Sequence, residues 1–304
     1  MGMPRFKNLI ESRHWGDIRD AWLNHVPVFP TAGAAPDPGL ERLEPLQRVS
    51  IQDQRERMLD VPGIRTNLLW EAVFLFHKCA HAHLASQRLG HKGMHSWSMF
   101  SAYHSAYLGA RGVMALLGLG LPKCGDGAQL LVDVYPPPTT KREQKALERG
   151  AYRFEEFVVY RLPRLDQQDV WDAFLRTLRV SDVEVWDSTL RSELTDLNYN
   201  DITRPRNAIL YKAAHWPAAD LVADGASTDF DLFFSDPLSP DDRGFLLRLS
   251  CNVYRIFEEL IGDLAALSGP IKLQLDESRI YHSPQADELS HYNTFLAGLN
   301  RAVS

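Results

Sequence analysis

Two runs of helical periodicity, separated by a pair of glycines, constrain this chain more than any other feature of its sequence. From Thr66 to Leu89, the residues Leu69, Ala72, Val73, Phe76, Ala80, His83 and Leu84 recur close to the period that lines one side of a helix. Gly90 and Gly93 interrupt the pattern. Ser96 then offers a hydroxyl cap to a second helix, which runs to about Leu117 and stops at GLGLP. Its apolar side is Met99, Tyr103, Ala106, Ala110, Val113 and Leu117. A second row, Ala102, Ser105, Gly109 and Gly112, lacks bulk and lets a neighbouring helix approach closely. A short break between two such helices predicts an antiparallel pair at the heart of a bundle.

The remaining segments extend that expectation to a mainly α multi-helix bundle with a small β-hairpin insertion. QLLVDVY (129–135) and FEEFVVYRL (154–162) are rich in Val, Leu, Phe and Tyr and read as strands. Between them lie three prolines and a charged helical piece, Thr140 to Gly150. This insertion is locally basic through Lys141, Arg142, Lys145, Arg149, Arg153, Arg161 and Arg164. Those charges read as a solvated face or, alternatively, as a lip that guides a polyanion. Further helices are expected at Asn8–Asn24, Asp166–Val180 and Asp182–Asn198. A long one, capped by Ser239 and Pro240, carries the stripe Leu246, Leu249, Val253, Ile256, Phe257, Leu260, Ile261 and Leu264 and ends at Gly269 and Pro270. A short apolar run, Ile271–Leu275, and a final helix at about Ala286–Arg301 follow. The organisation predicted is an N-terminal helical arm or cap over 1–65, a bundle over 66–270 with its insertion at about 125–165, and a C-terminal tail and helix over 271–304.

Composition excludes several classes. A formal net charge of −6 argues against a protein that coats nucleic acid nonspecifically, but leaves room for a small basic pocket. Cys79, Cys124 and Cys251 have no short pair spacing, which fits a reducing compartment and offers no disulfide framework. There is no apolar leader pattern and no membrane-length apolar run, so a cytoplasmic chain without membrane association is expected. GxSxG, GxxxxGK[ST] and GxGxxG are all missing, and the cysteines lie in or beside apolar segments.

Two constellations carry chemistry. His77 and His81 in HKCAHAH stand four apart, a spacing that suits two metal ligands on a helix, but the HExxH glutamate is missing. Histidines on the polar edge of an amphipathic helix explain the same run, so no metal and no other cofactor is assigned. The second constellation is DITRPRNAILYKAAHWPAADL (201–221). Asp201 or Thr203 is expected to cap a helix whose first turn holds Pro205 and whose end lies near Pro217. Arg204, Asn207, Tyr211 and His215 recur at offsets of three and four on one face, with Arg206 at the same end. Unbonded N–H groups, the positive dipole end and two guanidinium groups then predict a phosphate site. The alternative is structural: Arg204 and Arg206 pair with the acidic stretch that holds Asp220, Asp224, Asp229, Asp231, Asp236, Asp241 and Asp242, while Asn207 and Tyr211 satisfy buried backbone groups between helices.

The order of these helices resembles the HEPN superfamily. MFSAYHSAYLGARGVMALLGL (99–119) looks like the alanine- and aromatic-rich second helix of those bundles, and Arg206-Asn207 is similar to the start of the family's Arg-(Asn/Asp/His)-x-His motif region. The resemblance covers about half the chain, 66–119 and 198–268. It implies a metal-independent endoribonuclease that works as a dimer, often as a toxin or antiviral defence component beside an antitoxin or defence partner protein. On that analogy Arg206 neutralises developing charge, Asn207 orients the phosphate and His215 moves protons during attack by the ribose 2′-OH. Arg204, Tyr211 and Lys212 would support RNA binding. Eight residues separate Arg206 from His215, more than the family ordinarily leaves. Either His215 acts from one turn further along, or Tyr211 binds without catalysing, or the site is inactive. Arg19-Asp20 to His25, and Arg88 to His95, match the family's spacing by count alone. The other reading is a non-catalytic helical module that binds a nucleotide, nucleic acid or a partner protein.

Overall fold

In the computed structural model the residues described are 6, 9–27, 55–59, 62–91, 94–123, 129–151, 153–162, 165–211 and 244–282. They form nine helices, a four-stranded sheet and a two-stranded ribbon, so the chain is mainly α with a small β component. It divides into two compact units. Unit 1 takes Met1–Phe74 and Arg111–Glu184; unit 2 takes Leu75–Ala110 and Val185–Ser304.

In unit 1, β1 (Arg13–His14) leads directly into α1 (Trp15–Trp22) and pairs in parallel with β6 (Ser181–Asp182). The helix expected over 8–24 is therefore shorter, because His14 is extended and ends it. Its apolar side, Trp15, Ile18 and Trp22, is buried. The sheet has the order β2 (Arg55–Leu59), β5 (Glu156–Leu162), β4 (Gln129–Asp133) and β3 (Leu119–Gly120), antiparallel throughout. β4 and β5 are the two expected strands of the insertion, in the register Gln129↔Leu162 to Asp133↔Val158. β2 comes from the stretch read as part of an N-terminal arm and adds an outer strand to the hairpin. Between β4 and β5, α4 (Lys141–Leu147) starts at a capping box of Thr140 and Glu143, and two backbone N–H groups hold the Glu143 carboxyl below the usual range. α5 (Gln167–Val180) starts the same way, from Asp166 and Asp169.

Buried polar groups fix unit 1 internally. Arg13 donates through Nη2 to Asp133 Oδ2 at 2.9 Å and through Nη1 to the Leu117 carbonyl at 2.7 Å, and both side chains of the ion pair are almost fully enclosed. Arg65, 1% exposed, donates to the carbonyls of Val134 (3.2 Å) and Glu156 (3.1 Å) and lies over the Tyr135 ring. Trp22 meets the same ring edge-on at 4.7 Å and donates through Nε1 to the Leu116 carbonyl. Gly118 has φ +84°, and a Cβ there would stand 2.8 Å from Tyr135 Cδ2, so this turn requires glycine.

The helical pair is α2 (Ile64–His91) and α3 (His95–Leu116), and each contributes residues to both units. In unit 2, Ser105 Oγ donates to the Cys79 carbonyl (2.9 Å) and Ser98 Oγ to the Ser86 carbonyl (2.6 Å), so the two helices run antiparallel in contact. Gly109 shows why the row of small residues is needed: a Cβ there would lie 2.7 Å from Val253 Cγ1 and 3.0 Å from Cys79 Sγ. Val253 belongs to α8 (Phe245–Leu267), whose expected stripe is buried along its whole length. Phe76 stacks on Tyr254 at 5.7 Å and meets Phe257 edge-on. α6 (Ser188–Thr195) is capped by Asp187 and is shorter than the helix expected over 182–198, since Asp182 belongs to β6 and a turn fills the residues up to the cap. α7 (Tyr199–Tyr211) and α9 (Gly269–His282) complete the unit; Ile271–Leu275 is helical. The expected start at Ser239 and Pro240, the acidic stretch and the helix over 286–301 lie outside the described residues.

Candidate functional site

The candidate site stands on α7, and its helix starts earlier than expected. Asn198, not Asp201 or Thr203, is the capping residue. Its Oδ1 accepts from the backbone N–H groups of Asn200 (2.9 Å) and Asp201 (3.3 Å), while Asp201 Oδ2 accepts from the Asn198 N–H (2.8 Å). This is the reciprocal arrangement of a capping box. Thr203 instead donates back to the Tyr199 carbonyl at 3.1 Å. Pro205 is inside the helix, not in its first turn, and withholds a donor from the preceding turn. Ile202 and Thr203 are buried and anchor the turn that tolerates it.

The Asn200 and Asp201 N–H groups already have acceptors, and Arg204 and Arg206 stand about a turn or more beyond them, so the dipole and backbone do not contribute to the expected phosphate site. The side-chain part remains. Arg204 and Asn207, three apart, are both exposed. Arg206 is half-buried; its Nη1 donates to Asn207 Oδ1 at 2.8 Å and its Cζ lies 5.4 Å from the centre of the Tyr103 ring. With Oδ1 engaged, Asn207 presents Nδ2 as its donor end. Tyr211 is the last residue of α7 and its side chain is outside the description, as are Lys212 and His215 altogether.

Arg19 bonds to its neighbour Asp20 at 3.0 Å, and Arg88 is exposed on α2. In the histidine run, His77 Nε2 stands 3.4 Å from Gln274 Oε1 and His83 is a core residue. His83 Nδ1 is 2.9 Å from Ser250 Oγ, Nε2 is 3.2 Å from Gln87 Nε2, and the ring stacks on Tyr254 at 5.3 Å. Burial pushes its pKa down to about 4, so the ring is neutral near pH 7. Among the described residues no group of three or more His, Cys, Asp or Glu side chains converges on a metal position. Burial raises the Cys79 thiol to about 12, against the weaker pull of the Ser105 hydroxyl, and Cys251 to about 11, which leaves both poorly nucleophilic.

The stretch that holds α2 and α3 has a feature that no motif marks. No Asp or Glu occurs between Glu71 and Asp126, in a chain with 39 acids and a net charge of −6. On α2 this leaves Lys78, His81 and Arg88 exposed along one face. On α3, Trp97 is 65% exposed, Phe100 is half-buried and His104 is exposed. The missing acids were a readable signal; the exposure of the aromatic rings was not.

No helix among the described residues is long and apolar enough to cross a membrane. Comparison with family models, with curated proteins and with solved structures found no match for this chain.

Proposed function

We propose that the chain is an RNA-directed protein in which Arg206 and Asn207 hold a phosphate, acting as a metal-independent endoribonuclease of HEPN type. The observation that carries this reading is the fixing of Arg206 between Asn207 Oδ1 and the Tyr103 ring. A guanidinium held on one side by an aromatic face and on the other by an amide is a pre-oriented fork, and such forks suit phosphate oxygens. Arg204, exposed on the same helix, adds a second charge.

In the reaction, the ribose 2′-oxygen bonds to phosphorus and the P–O5′ bond breaks, leaving a 2′,3′-cyclic phosphate and a 5′-hydroxyl. The 2′-OH proton leaves to a base and a proton reaches the departing 5′-oxygen. Arg206 stabilises the charge that accumulates on the phosphoryl oxygens and Asn207 orients them. His215 is the residue assigned to the proton transfers, and a homodimer and an antitoxin or defence protein are the partners this reading implies.

The test is incubation of labelled RNA with the purified chain in EDTA. Arg206→Ala should lower cleavage by about a hundredfold or more while leaving the helical circular dichroism unchanged. Cleavage that survives Arg206→Ala, or that chelator abolishes, would overturn the assignment. A second reading, a binding module without catalysis, is favoured by one observation: Tyr199–Tyr211 contains no histidine. In that case RNA is bound, stays intact, and Arg206→Ala weakens binding alone.

A further inference from the structure

Helices α2 and α3 present a surface in unit 2 that the phosphate site does not use. On α3, Trp97, Phe100 and His104 recur at offsets of three and four and share one outward side. Trp97 and Phe100 meet edge-on at 6.1 Å, and Phe100 and His104 lie nearly parallel, 16° apart at 6.5 Å. Met94, 53% exposed, precedes them by one turn. An indole this open to water has an unfavourable solvation that a stacked partner would relieve.

Cations flank the rings. Lys78 lies close enough that its charge, second to burial, helps hold His104 below its ordinary pKa. His81 and Arg88 continue the α2 face, and Arg206 covers Tyr103, the residue before His104. No acid interrupts the primary structure from residue 72 to 125. An aromatic row with a lysine beside it, within an acidic chain, suits a single strand: bases stack on the rings and phosphates meet the charge.

We propose that the Trp97–Phe100–His104 row, flanked by Lys78, is a stacking track for unpaired bases of single-stranded RNA. This rests on the reading that the chain handles RNA and names the form of RNA it takes. From Trp97 to His104 the helix advances about 10 Å, room for two or three successive bases. A duplex does not fit, because an A-form helix keeps its base faces stacked inside. A second copy of the chain is the less favoured occupant: a two-fold contact centred on this face would bring the like charges of Lys78 and Arg88 towards their own equivalents.

The probe is a fluorescein-labelled, unstructured 2′-O-methyl oligouridylate, which has no free 2′-OH and so reports binding without cleavage. The full chain should bind it, and should bind a duplex of the same length more weakly. Trp97→Ala should weaken oligouridylate binding about tenfold or more with an unchanged melting curve, while Trp97→Phe keeps a ring and retains most of the affinity. Lys78→Ala should reduce the salt dependence of binding. The proposal falls if wild type does not bind the oligonucleotide, if Trp97→Ala binds it as wild type does, or if Trp97→Ala only converts a dimer to a monomer. Loss of cleavage in Arg206→Ala with normal binding by Trp97→Ala would leave the phosphate site standing without the track. Weakened binding by Trp97→Ala in a chain that never cleaves RNA would leave the track standing without the nuclease.

Discussion

Two pairs of arginines, one in each unit, do opposite work. In unit 1, Arg13 and Arg65 are enclosed and their guanidinium groups donate to Asp133 and to the carbonyls of Leu117, Val134 and Glu156. In unit 2, Arg204 is exposed and Arg206 is half-covered by a ring and an amide. A guanidinium surrounded by carbonyls and a carboxylate has been desolvated and compensated during folding, so it specifies structure. One that keeps part of its surface in water retains its attraction for an anion. Residue type does not separate these roles; burial and the identity of the acceptors do.

The comparison breaks first at the buried pair. Asp133→Ala should cost about 3–5 kcal/mol of unfolding free energy, because the Arg13 charge stays buried without its carboxylate. Arg13→Met with Asp133→Leu should recover much of that loss, and denaturant titration of the three proteins measures it. A single variant within about 1 kcal/mol of wild type would mean the pair is not specifying unit 1.

Next comes His83, which extends the same rule to unit 2. Its folded pKa, about 4, lies below the unfolded value of 6.5. Below pH 6.5 the unfolded chain takes up a proton that the native core refuses. The contribution is therefore fully present above pH 6.5 and is lost as pH falls towards 4, about 3 kcal/mol in all. Urea midpoints at pH 7 and pH 4.5 should differ more in wild type than in His83→Gln. Equal differences would show that the imidazole is not the group that titrates.

Gly109→Ala tests a smaller effect, the close approach of three helices. The added methyl meets Val253 and Cys79 at sub-contact distance and should cost about 1–3 kcal/mol, read from the thermal midpoint. This site was legible in sequence because small residues recurred at helical spacing beside a full apolar stripe. α8 was legible for the same reason, and the hairpin strands through their Val, Leu, Phe and Tyr content. β2 was not: RERML has no clear alternation, and what makes it a strand is β5, about a hundred residues away. The start of α7 was misread because proline is common in a first turn, whereas Asn198-x-x-Asp201 forms a box that starts the helix earlier. Of the candidate site, the Arg206-Asn207 pair was visible in sequence. Its aromatic support, Tyr103, lies on another helix, and only tertiary packing places it there.

The smallest expected change in stability is at Arg204. Its side chain is exposed on α7, so Arg204→Ala should alter unfolding free energy by no more than about 0.5 kcal/mol. Its effect on ligand should be visible all the same. A cation that meets one phosphate of a single strand releases counterions, so its removal should lower the slope of log affinity against log salt by about 0.7. Measured with the same 2′-O-methyl oligouridylate, that change would place Arg204 on the RNA path although nothing in the fold depends on it. An unchanged slope together with a stability loss above about 1 kcal/mol would put Arg204 with Arg13 and Arg65 as a structural cation. The contrast between the two units would then have to be redrawn around Arg206 and Lys78 alone.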